Sequence, residues 1–324
     1  MTLTEEFTER IKGADNIFIF THVNPDGDTL GSAIAMKLFI KEYFNKPSRI
    51  VHTSTLPKVY SYVPEYDSIE DISQIKEGEK CDLAIAVDIA SFDRLAEASA
   101  LFKNADFRVN IDHHKTNNGY GDLNIIDGNA CAVGLILCKM FDEIGYKMSK
   151  ESAIALYTSI MTDTGAFKYE NTTPECLRAA AQIVEAGAVP NEIYRLCYES
   201  KPVNMLKFQL YILNKAEFFN DGHIAMTTVE KQDMEKFSAT DDFTEGIVEV
   251  LRTANIVDVS AILKETKDGF TKVSLRSKTV DLVPIIADFN GGGHTFAAGC
   301  TIKKPLAVAK NKLLERIQNA LEQK

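Results

Sequence analysis

Short, mostly apolar runs alternate with longer segments of helical periodicity through the first half of the chain. The short runs are rich in isoleucine, valine and phenylalanine, which is typical of strands buried on both faces. We predict strands at NIFIF (16–20), SRIVHT (48–53), CDLAIAVDI (81–89) and FRVNID (107–112). We predict helices at LGSAIAMKLFIKEYF (30–44), AVGLILCKMFDEIG (132–145) and ESAIALYTSIM (151–161). Strands that alternate with helices favour an α/β domain in which a parallel sheet has helices on both faces.

The second half begins with a helical stretch and then becomes strand-like. Helical patterns follow one another at PECLRAAAQIVEAGA (174–188), NEIYRLCYES (191–200) and NMLKFQLYILNKAEFF (204–219). Strand patterns come next at HIAMTTVE (223–230), DVSAILKET (258–266) and TKVSLRSKT (271–279), and LAVAKNKLLERIQNALEQK (306–324) closes the chain as an amphipathic helix. We therefore predict a first domain at 1–188, a helical connector at 189–214 and a smaller α+β domain at 215–324.

Length and charge narrow the classes of function. A chain of 324 residues fits two domains. Its formal net charge of −10 argues against a protein that grips long duplex nucleic acid, because such proteins neutralise phosphates with basic surfaces. A small anionic substrate held by metal ions and a few local cations remains compatible with this charge.

Cysteine usage and the N-terminus bear on the compartment. The six cysteines form no CxxC pair, which predicts buried free thiols. The N-terminal segment MTLTEEFTERIKGAD is polar and helical, unlike a signal peptide, and no stretch approaches about 20 uninterrupted apolar residues. We therefore expect a cytoplasmic protein that spans no membrane.

Histidine and aspartate residues cluster where the predicted strands and one predicted helix end. They are His22, Asp26 and Asp28 in THVNPDGDTLGS, Asp88 in AIAVDIAS, Asp112, His113 and His114 in VNIDHHKTN, and Asp163 in SIMTDTGAF. Loops that leave the carboxyl ends of parallel strands build the site in such sheets, so we expect these side chains to converge. Each cluster alone has a structural alternative, because NPDGD favours a turn and an isolated aspartate often caps a helix.

Taken together, the clusters predict a metal centre. Their donors are imidazole nitrogen and carboxylate oxygen, without thiolate, which suits Mn²⁺ best, then Mg²⁺ or Co²⁺, rather than a structural Zn²⁺. The donors exceed what one ion needs. Two divalent ions about 3.5–4 Å apart, with one carboxylate shared between them, would use them all.

The same segments resemble the motifs of a known family. In order and spacing, HVNPDGDTLGS, VDIAS, DHHKTN and TDTG resemble the four motifs of the DHH phosphoesterases. Further on, VSLRSKTVDLVPIIADFNGGGHTFAAGC is similar to the signature of the DHH-associated C-terminal domain. The resemblance extends from about residue 14 to residue 303. The layout is most similar to the NrnA-like group of nanoRNases and pAp phosphatases, which makes the first domain catalytic and the last one substrate-binding.

The resemblance implies a role for each of these side chains. His22, Asp26 and Asp88 would hold one ion. The other ion would be held by Asp28, Asp88, His113 and Asp163, with Asp88 bridging the two. His114 would face the substrate phosphoryl group, and Asp112 would orient its neighbours. A water activated by both ions would attack phosphorus.

The second domain contributes a glycine cluster and a short cationic patch. The cluster GGGH contains Gly291, Gly292, Gly293 and His294, and the patch in SLRSK contains Arg276 and Lys278. The cluster has a structural alternative as a flexible turn from a strand to a helix, and most such patches are solvated surface. Glycines also let backbone N–H groups approach an anion, and arginine can clamp a phosphate. The resemblance implies that these residues contact the substrate.

The activity that the resemblance implies is the hydrolysis of short RNA, roughly two to five nucleotides long, to mononucleotides, and the conversion of pAp to AMP. Phosphodiesterases for cyclic-di-AMP or pApA share the layout and are the alternative. A third reading is a catalytically inactive nucleotide sensor, but the chain retains every ligand position. The implied partners are small nucleotides such as pAp and pApA.

Overall fold

The computed structural model describes residues 2–322, apart from the side chain of His294. It divides into two compact units with the boundary between Ser200 and Lys201. This boundary falls inside the predicted connector, and the domain limits drawn from the sequence stay a prediction.

The first unit is built on a six-stranded parallel sheet with the strand order β3-β2-β1-β4-β5-β6. Its strands are β1 Ile17–Phe20, β2 Arg49–His52, β3 Glu70–Asp71, β4 Leu83–Val87, β5 Phe107–Asp112 and β6 Leu123–Ile126. The strand order reverses between β1 and β4, which are neighbours. The loops that follow these two strands therefore diverge and leave a crevice at the carboxyl edge, where ligands bind in open α/β sheets. The four predicted strands are confirmed, and β3 and β6 were missed.

Helices cover both faces of this sheet, as predicted. They are α1 Leu3–Gly13, α2 Gly27–Phe44, α3 Ser99–Lys103, α4 Val133–Ile144, α5 Lys150–Asp163, α6 Pro174–Glu185 and α7 Pro190–Tyr198. Successive strand residues point to opposite faces. Ile17 and Ile19 accordingly pack in the larger core with α2, α4 and α5, whereas Phe18 and Phe20 pack on the other face with Phe102 of α3.

Helices α2 and α5 approach each other closely at a glycine. A Cβ atom built on Gly31 would lie 2.4 Å from the carbonyl oxygen of Ala155. Only glycine allows this separation, which brings the start of α2 and the end of α5 to the same place. Asp28 lies near the start of α2 and Asp163 is the last residue of α5, so this helix contact sets the distance between two predicted ligands.

The second unit contains a mixed sheet with the order β11-β12-β10-β9-β8-β7, in which only β8 and β9 are parallel among the described pairs. Its elements are α8 Val203–Asn214, β7 Glu217–Phe219, β8 Ile224–Val229, α9 Lys231–Lys236, α10 Ile247–Arg252, β9 Val259–Glu265, β10 Thr271–Ser277, α11 Val283–Ala287, β11 Gly292–His294, β12 Ala297–Ile302 and α12 Leu306–Glu322. Leu313 of α12 packs in one core and Phe208 of α8 in another. The predicted smaller α+β domain is confirmed.

Two sequence predictions in this unit are corrected. The helix predicted over 204–219 ends at Asn214, and residues 217–219 form strand β7, because Glu217 to Phe219 pair antiparallel with β8. The glycine cluster does not connect a strand to a helix. Gly292 and Gly293 lie in β11, which follows α11 and pairs with β12. The last two residues of the predicted C-terminal helix, 323 and 324, lie outside the described residues.

Two further predictions can be compared with the structure. All six cysteines are free and buried, as expected. No helix in the described range 2–322 has the length and apolar character needed to cross a membrane.

Candidate metal centre

The predicted ligands meet at the carboxyl edge of the first sheet. His22 follows β1, Asp88 follows β4, and His113 follows β5. His22 Nε2 lies 3.5 Å from Asp88 Oδ2, and His113 Nε2 lies 3.5 Å from Asp88 Oδ1. Asp88 therefore stands between the two imidazoles. Helix α2 brings Asp28 to within 3.6 Å of His113 Nε2.

Three overlapping groups of side chains have donor atoms within 4.8 Å of one another, which suits a metal ion. The first group is His22, Asp26 and Asp88, the second is Asp28, His113 and Asp163, and the third is Asp88, His113 and His114. The first group has the membership expected of one ion site. The second has three of the four residues expected of the other site, and the fourth, Asp88, lies 3.5 Å from His113. Ligation by each of these residues stays a prediction.

Asp88 provides the test of fit for a cation. It is 2% exposed and adopts a left-handed backbone conformation with a φ of 59°, which is strained for a residue other than glycine. Its Oδ2 accepts a hydrogen bond of 2.5 Å from Thr29 Oγ1. Its Oδ1 is buried without a hydrogen-bond partner in the described part of the chain. A buried carboxylate oxygen without a donor is costly, and a divalent cation would compensate for it.

Asp26 combines capping with a ligand geometry. Its Oδ1 accepts hydrogen bonds of 3.1 Å from the backbone N–H groups of Asp28 and Thr29, so it caps helix α2. Its Oδ2 lies 3.8 Å from His22 Nε2. The sequence offered a turn as the alternative to a ligand at Asp26; the structure shows a helix cap on one oxygen and leaves the other oxygen for a ligand.

The two imidazoles that face the carboxylates are oriented by backbone carbonyls. His22 Nδ1 lies 2.9 Å from the carbonyl oxygen of Val23, and His113 Nδ1 lies 3.2 Å from that of Ala130. Each ring therefore turns Nε2 towards the acidic cluster. Such contacts fix the tautomer and the orientation of metal-ligating histidines.

Without a cation, the cluster binds protons instead. Burial alone would lower the pKa of His22, but hydrogen bonds and attraction from Asp26 and Asp88 raise it to about 9. The pKa of His113 rises to about 10, since Asp88, Asp28 and Asp163 outweigh burial. Burial and the Asp28 charge raise the pKa of Asp163 to about 8. Divalent cations would displace these protons, so cation affinity should depend on pH.

Asp28 is held by three donors on different elements. Its Oδ1 accepts from Ser32 Oγ at 2.9 Å and from Ser159 Oγ at 2.5 Å, and its Oδ2 accepts from the Val133 N–H at 2.8 Å. The carboxylate is 1% exposed. Its orientation is therefore fixed before any ligand arrives.

A buried network supports His114. His114 Nδ1 lies 2.8 Å from Asp112 Oδ1, and Asp112 is fully buried. Asn117 Nδ2 donates to Asp112 Oδ2 at 2.6 Å and contacts Asn110 Oδ1 at 2.7 Å. Tyr120 OH donates to the Ile89 carbonyl at 2.9 Å, which joins this network to the loop after Asp88. The contact between Asp112 and His114 supports the orienting role expected of Asp112.

Sequence reasoning missed the residues that hold the predicted ligands. Ser32 has a detectable signal, because a residue four positions after Asp28 shares its face of a helix. Asn117 lies in the quoted DHHKTN motif but received no role. Thr29 offered no signal of its own, and Ser159 is 131 positions from Asp28, so only the tertiary structure reveals that contact.

In the second unit, two of the predicted substrate contacts lie on the strands that flank β12. Arg276 of β10 and His294 of β11 are both paired opposite Ala297 of β12, although the side chain of His294 is outside the described part of the structure. Arg276 Nε lies 2.8 Å from Glu249 Oε1. Lys278 Nζ donates to the Ala254 carbonyl at 2.6 Å. Arg276 and Lys278 thus each have a protein partner, and their role in substrate binding stays a prediction.

The three glycines of the cluster have different surroundings. A Cβ atom on Gly291 would lie 2.6 Å from the Gly299 carbonyl oxygen, and one on Gly293 would lie 2.5 Å from that of Ala297. Gly293 also has a φ of 151°. Gly292 has nothing within 4 Å of such an atom. Packing on β12 explains two of the glycines, and Gly292 is the one of the three that has open space at the Cβ position.

The fold and the site define a family. A family model described as DHH family, N-terminal domain, matches residues 16–160, and one described as DHHA1 domain matches residues 222–323. The chain belongs to the DHH family of phosphoesterases, as its motifs predicted.

Particular relatives extend this assignment over the whole chain. The chain is 30% identical over 323 residues to a probable bifunctional oligoribonuclease and PAP phosphatase NrnA of Streptococcus mutans, covering 99% of this chain and 100% of that one. It is 30% identical over 325 residues to the bifunctional oligoribonuclease and PAP phosphatase NrnA of Thermus thermophilus, covering 99% and 94%. The crystal structure of an exopolyphosphatase-related protein from Bacteroides fragilis superposes with a TM-score of 0.91 at 25% identity, covering 99% and 96%.

Proposed function

We propose that this protein is a metal-dependent phosphoesterase that hydrolyses short oligoribonucleotides to mononucleotides and dephosphorylates pAp to AMP. Two relatives that align over almost the full chain carry the corresponding names. The observation that carries the proposal is the position of Asp88 between two imidazoles, with one buried oxygen that has no hydrogen-bond partner among the described residues. If two cations share one carboxylate, that carboxylate would occupy the central position that Asp88 has here.

The cofactor that we propose is a pair of divalent cations, with Mn²⁺ as the best match. The donors are imidazole nitrogens and carboxylate oxygens, a mixture that suits Mn²⁺ better than thiolate-preferring ions. His22, Asp26 and Asp88 would hold one ion, and Asp28, His113, Asp163 and Asp88 the other. Two such ions would supply the lowered pKa of the attacking water and would offset charge on the phosphoryl oxygens.

The protein's own contribution is to hold and orient these groups. Thr29 fixes one oxygen of Asp88, and the carbonyls of Val23 and Ala130 turn Nε2 of His22 and His113 inwards. His114 directs Nδ1 to Asp112, so its Nε2 is the nitrogen that would meet a phosphoryl oxygen. Preorganised donors of this kind stabilise charge that develops in the transition state.

The second unit would contribute contacts to a nucleotide substrate. We propose that the backbone N–H groups around Gly292 approach a phosphate, since no atom of the described residues beyond its chain neighbours lies within 4 Å of the Cβ position there. Arg276, Lys278 and His294 would contribute polar contacts, and Gly291 and Gly293 would allow β11 to lie against β12. The ion pair with Glu249 would leave other N–H groups of Arg276 to meet an anion.

One assay distinguishes the candidate substrates. The purified protein with Mn²⁺ is offered pAp, a 5′-phosphorylated RNA dinucleotide, cyclic-di-AMP and pyrophosphate in parallel, and the products are separated by chromatography. We expect AMP from pAp and mononucleotides from the dinucleotide, and no turnover with the Asp88→Asn variant. Preferential cleavage of cyclic-di-AMP would instead indicate a cyclic-dinucleotide phosphodiesterase. Tight binding without turnover would indicate a sensor.

A further inference from the structure

Arg94 lies beside the metal centre on a firmly held backbone. It belongs to the 3₁₀ segment Phe92–Ala98, which follows the loop that carries Asp88. Its N–H donates to the Ser91 carbonyl at 3.0 Å, and its carbonyl accepts from the Val23 N–H at 3.0 Å. The side chain is half-buried. A long side chain that starts from a fixed backbone reaches its target at a lower entropic cost than one on a mobile loop.

The guanidinium group of Arg94 contacts a ring nitrogen of His22 that has a second neighbour. Arg94 Nη2 lies 3.0 Å from His22 Nδ1, and the same Nδ1 lies 2.9 Å from the Val23 carbonyl oxygen. A guanidinium can only donate, and a carbonyl can only accept. A single ring nitrogen therefore cannot serve both neighbours.

The orientation of His22 decides between the two neighbours. Its Nε2 faces Asp88 at 3.5 Å and Asp26 at 3.8 Å. If Nε2 directs a lone pair at a cation, the ring hydrogen is on Nδ1. In this metal-ligating tautomer Nδ1 donates to the Val23 carbonyl, and the N–H of Arg94 faces another N–H.

Arg94 also differs from the other arginines near the first sheet. Arg49 pairs with Glu70, and Arg108 pairs with Asp122 at 2.7 Å. No carboxylate lies within ion-pair distance of Arg94 among residues 2–322. When His22 ligates a cation, this half-buried guanidinium has neither an acceptor on His22 nor a carboxylate partner in the described chain, so it is available to an anion from outside the protein.

We propose that Arg94 binds a phosphate group of the substrate at the metal centre. The inference rests on the proposed phosphoesterase function and adds a cationic residue to it. A guanidinium can hold two non-bridging phosphate oxygens through a pair of parallel N–H groups. The guanidinium group contacts Nδ1 of His22, and Nε2 on the other side of that ring faces Asp88. A phosphate that reaches the acidic cluster would therefore come close to Arg94. The carboxylates repel an incoming phosphate, and Arg94 offsets part of that repulsion.

The test compares Arg94→Ala and Arg94→Lys with the wild-type protein and with Arg178→Ala. Arg178 is an exposed arginine of α6 without an ion pair in the described residues, so its replacement makes the same change in net charge. Isothermal titration gives the affinity for Mn²⁺ and then the affinity of the Mn²⁺-loaded protein for AMP. Steady-state kinetics with pAp and the effect of added guanidinium chloride complete the set.

We expect Arg94→Ala to weaken AMP binding by about 10- to 100-fold, as for the loss of a charge-assisted contact. The kcat/KM for pAp should fall by a similar factor, with Mn²⁺ affinity unchanged. Arg94→Lys should fall in between, because lysine supplies charge without the planar fork. Millimolar guanidinium should restore part of the activity of Arg94→Ala, and Arg178→Ala should match the wild type.

Two results would overturn the inference. One is AMP affinity that is absent in the wild type or equal in Arg94→Ala and Arg178→Ala. The other is a loss of Mn²⁺ affinity in Arg94→Ala large enough to account for its AMP defect, which would make Arg94 a support for His22. A protein that hydrolyses none of the four substrates but loses AMP affinity in Arg94→Ala would refute the proposed function and leave the phosphate contact standing.

Discussion

Thr29 and Asp88 form a one-sided contact: the threonine hydroxyl donates at 2.5 Å to Oδ2, whereas Oδ1 is buried with no donor in the described structure. We predict that Asp88→Asn lowers kcat/KM for pAp by more than about 100-fold, since loss of a bridging ligand should exceed the effect of losing an outer contact. Far-ultraviolet circular dichroism should remain that of the wild type. Thr29→Val, which removes only the hydroxyl, is the matched control and should lose less. Near-wild-type hydrolysis by folded Asp88→Asn would refute the bridging role.

His114→Ala should separate the chemical step from cation binding. Because His114 contacts Asp112 and is proposed to face the phosphoryl group, we expect kcat to fall by about 10²–10³-fold. Bound Mn²⁺, measured by elemental analysis after gel filtration, should stay close to the wild-type value. His113→Ala should lose metal under the same conditions. Metal loss in His114→Ala would instead support ligation through the group formed by Asp88, His113 and His114.

Arg276→Ala should act through substrate affinity. Arg276 lies on the second unit's sheet and is paired with Glu249, so its removal leaves the metal centre intact. We expect KM for a short RNA to rise by about 10-fold with kcat nearly unchanged. Glu249→Gln, which keeps the shape and frees Arg276, should not raise KM. A fall in kcat alone would assign the second unit to the chemical step.

Gly292 and Gly293 should respond differently to alanine. A Cβ on Gly293 meets the Ala297 carbonyl oxygen at 2.5 Å in a left-handed conformation, so Gly293→Ala should lower the free energy of unfolding by about 1–3 kcal/mol. Gly292→Ala meets open space and should cost little stability, but it should weaken AMP binding if the backbone there approaches phosphate. Urea denaturation and titration calorimetry measure the two effects. Equal destabilisation by both would show that the cluster serves packing alone.

The stability of the metal-free protein should fall as pH rises from about 6 to 9. The pKa values of His22, about 9, and His113, about 10, exceed the ordinary value of 6.5, so the folded state holds protons that the unfolded state releases. Asp163, at about 8 against 3.8, acts in the same direction. Thermal unfolding in chelator should show the decline, and Mg²⁺ should raise the midpoint more at pH 8.5 than at pH 6. A midpoint that rises with pH in chelator would contradict these pKa shifts.

The pattern of apolar runs was sufficient to predict the longer helices and strands, but it did not predict the short strands. β6 has only the residues 123–126 and alternates in burial, so it lacks the continuous apolar character of its neighbours. The helix predicted over 204–219 was too long because its apolar residues continue into Phe218 and Phe219, which belong to an edge strand instead. Pairing with β8 makes residues 217–219 a strand, and the local sequence pattern does not reveal this pairing.

For the site, the sequence supplied the donors and left their supports unknown. The residue type alone identifies imidazole and carboxylate donors, which is why the sequence could name His22, Asp26, Asp28 and His113. The hydroxyl of Ser159 and the N–H of Val133 hold Asp28 from 131 and 105 positions away. Arg94 likewise looks like an ordinary surface arginine until its contact with His22 is measured. Distances between remote segments arise from packing and have no signature in composition or spacing.

The close approach of Gly31 to Ala155 has a consequence for biosynthesis. Residues for the first candidate ion are complete once Asp88 has been made, but the second also needs Asp163 at the end of α5. The residues of the first group are therefore synthesised before those of the second, and docking of α5 on α2 completes the second group. Until that helix docks, Asp28 also lacks the hydroxyl of Ser159, so the second candidate ion group is complete only after residue 163 has been made.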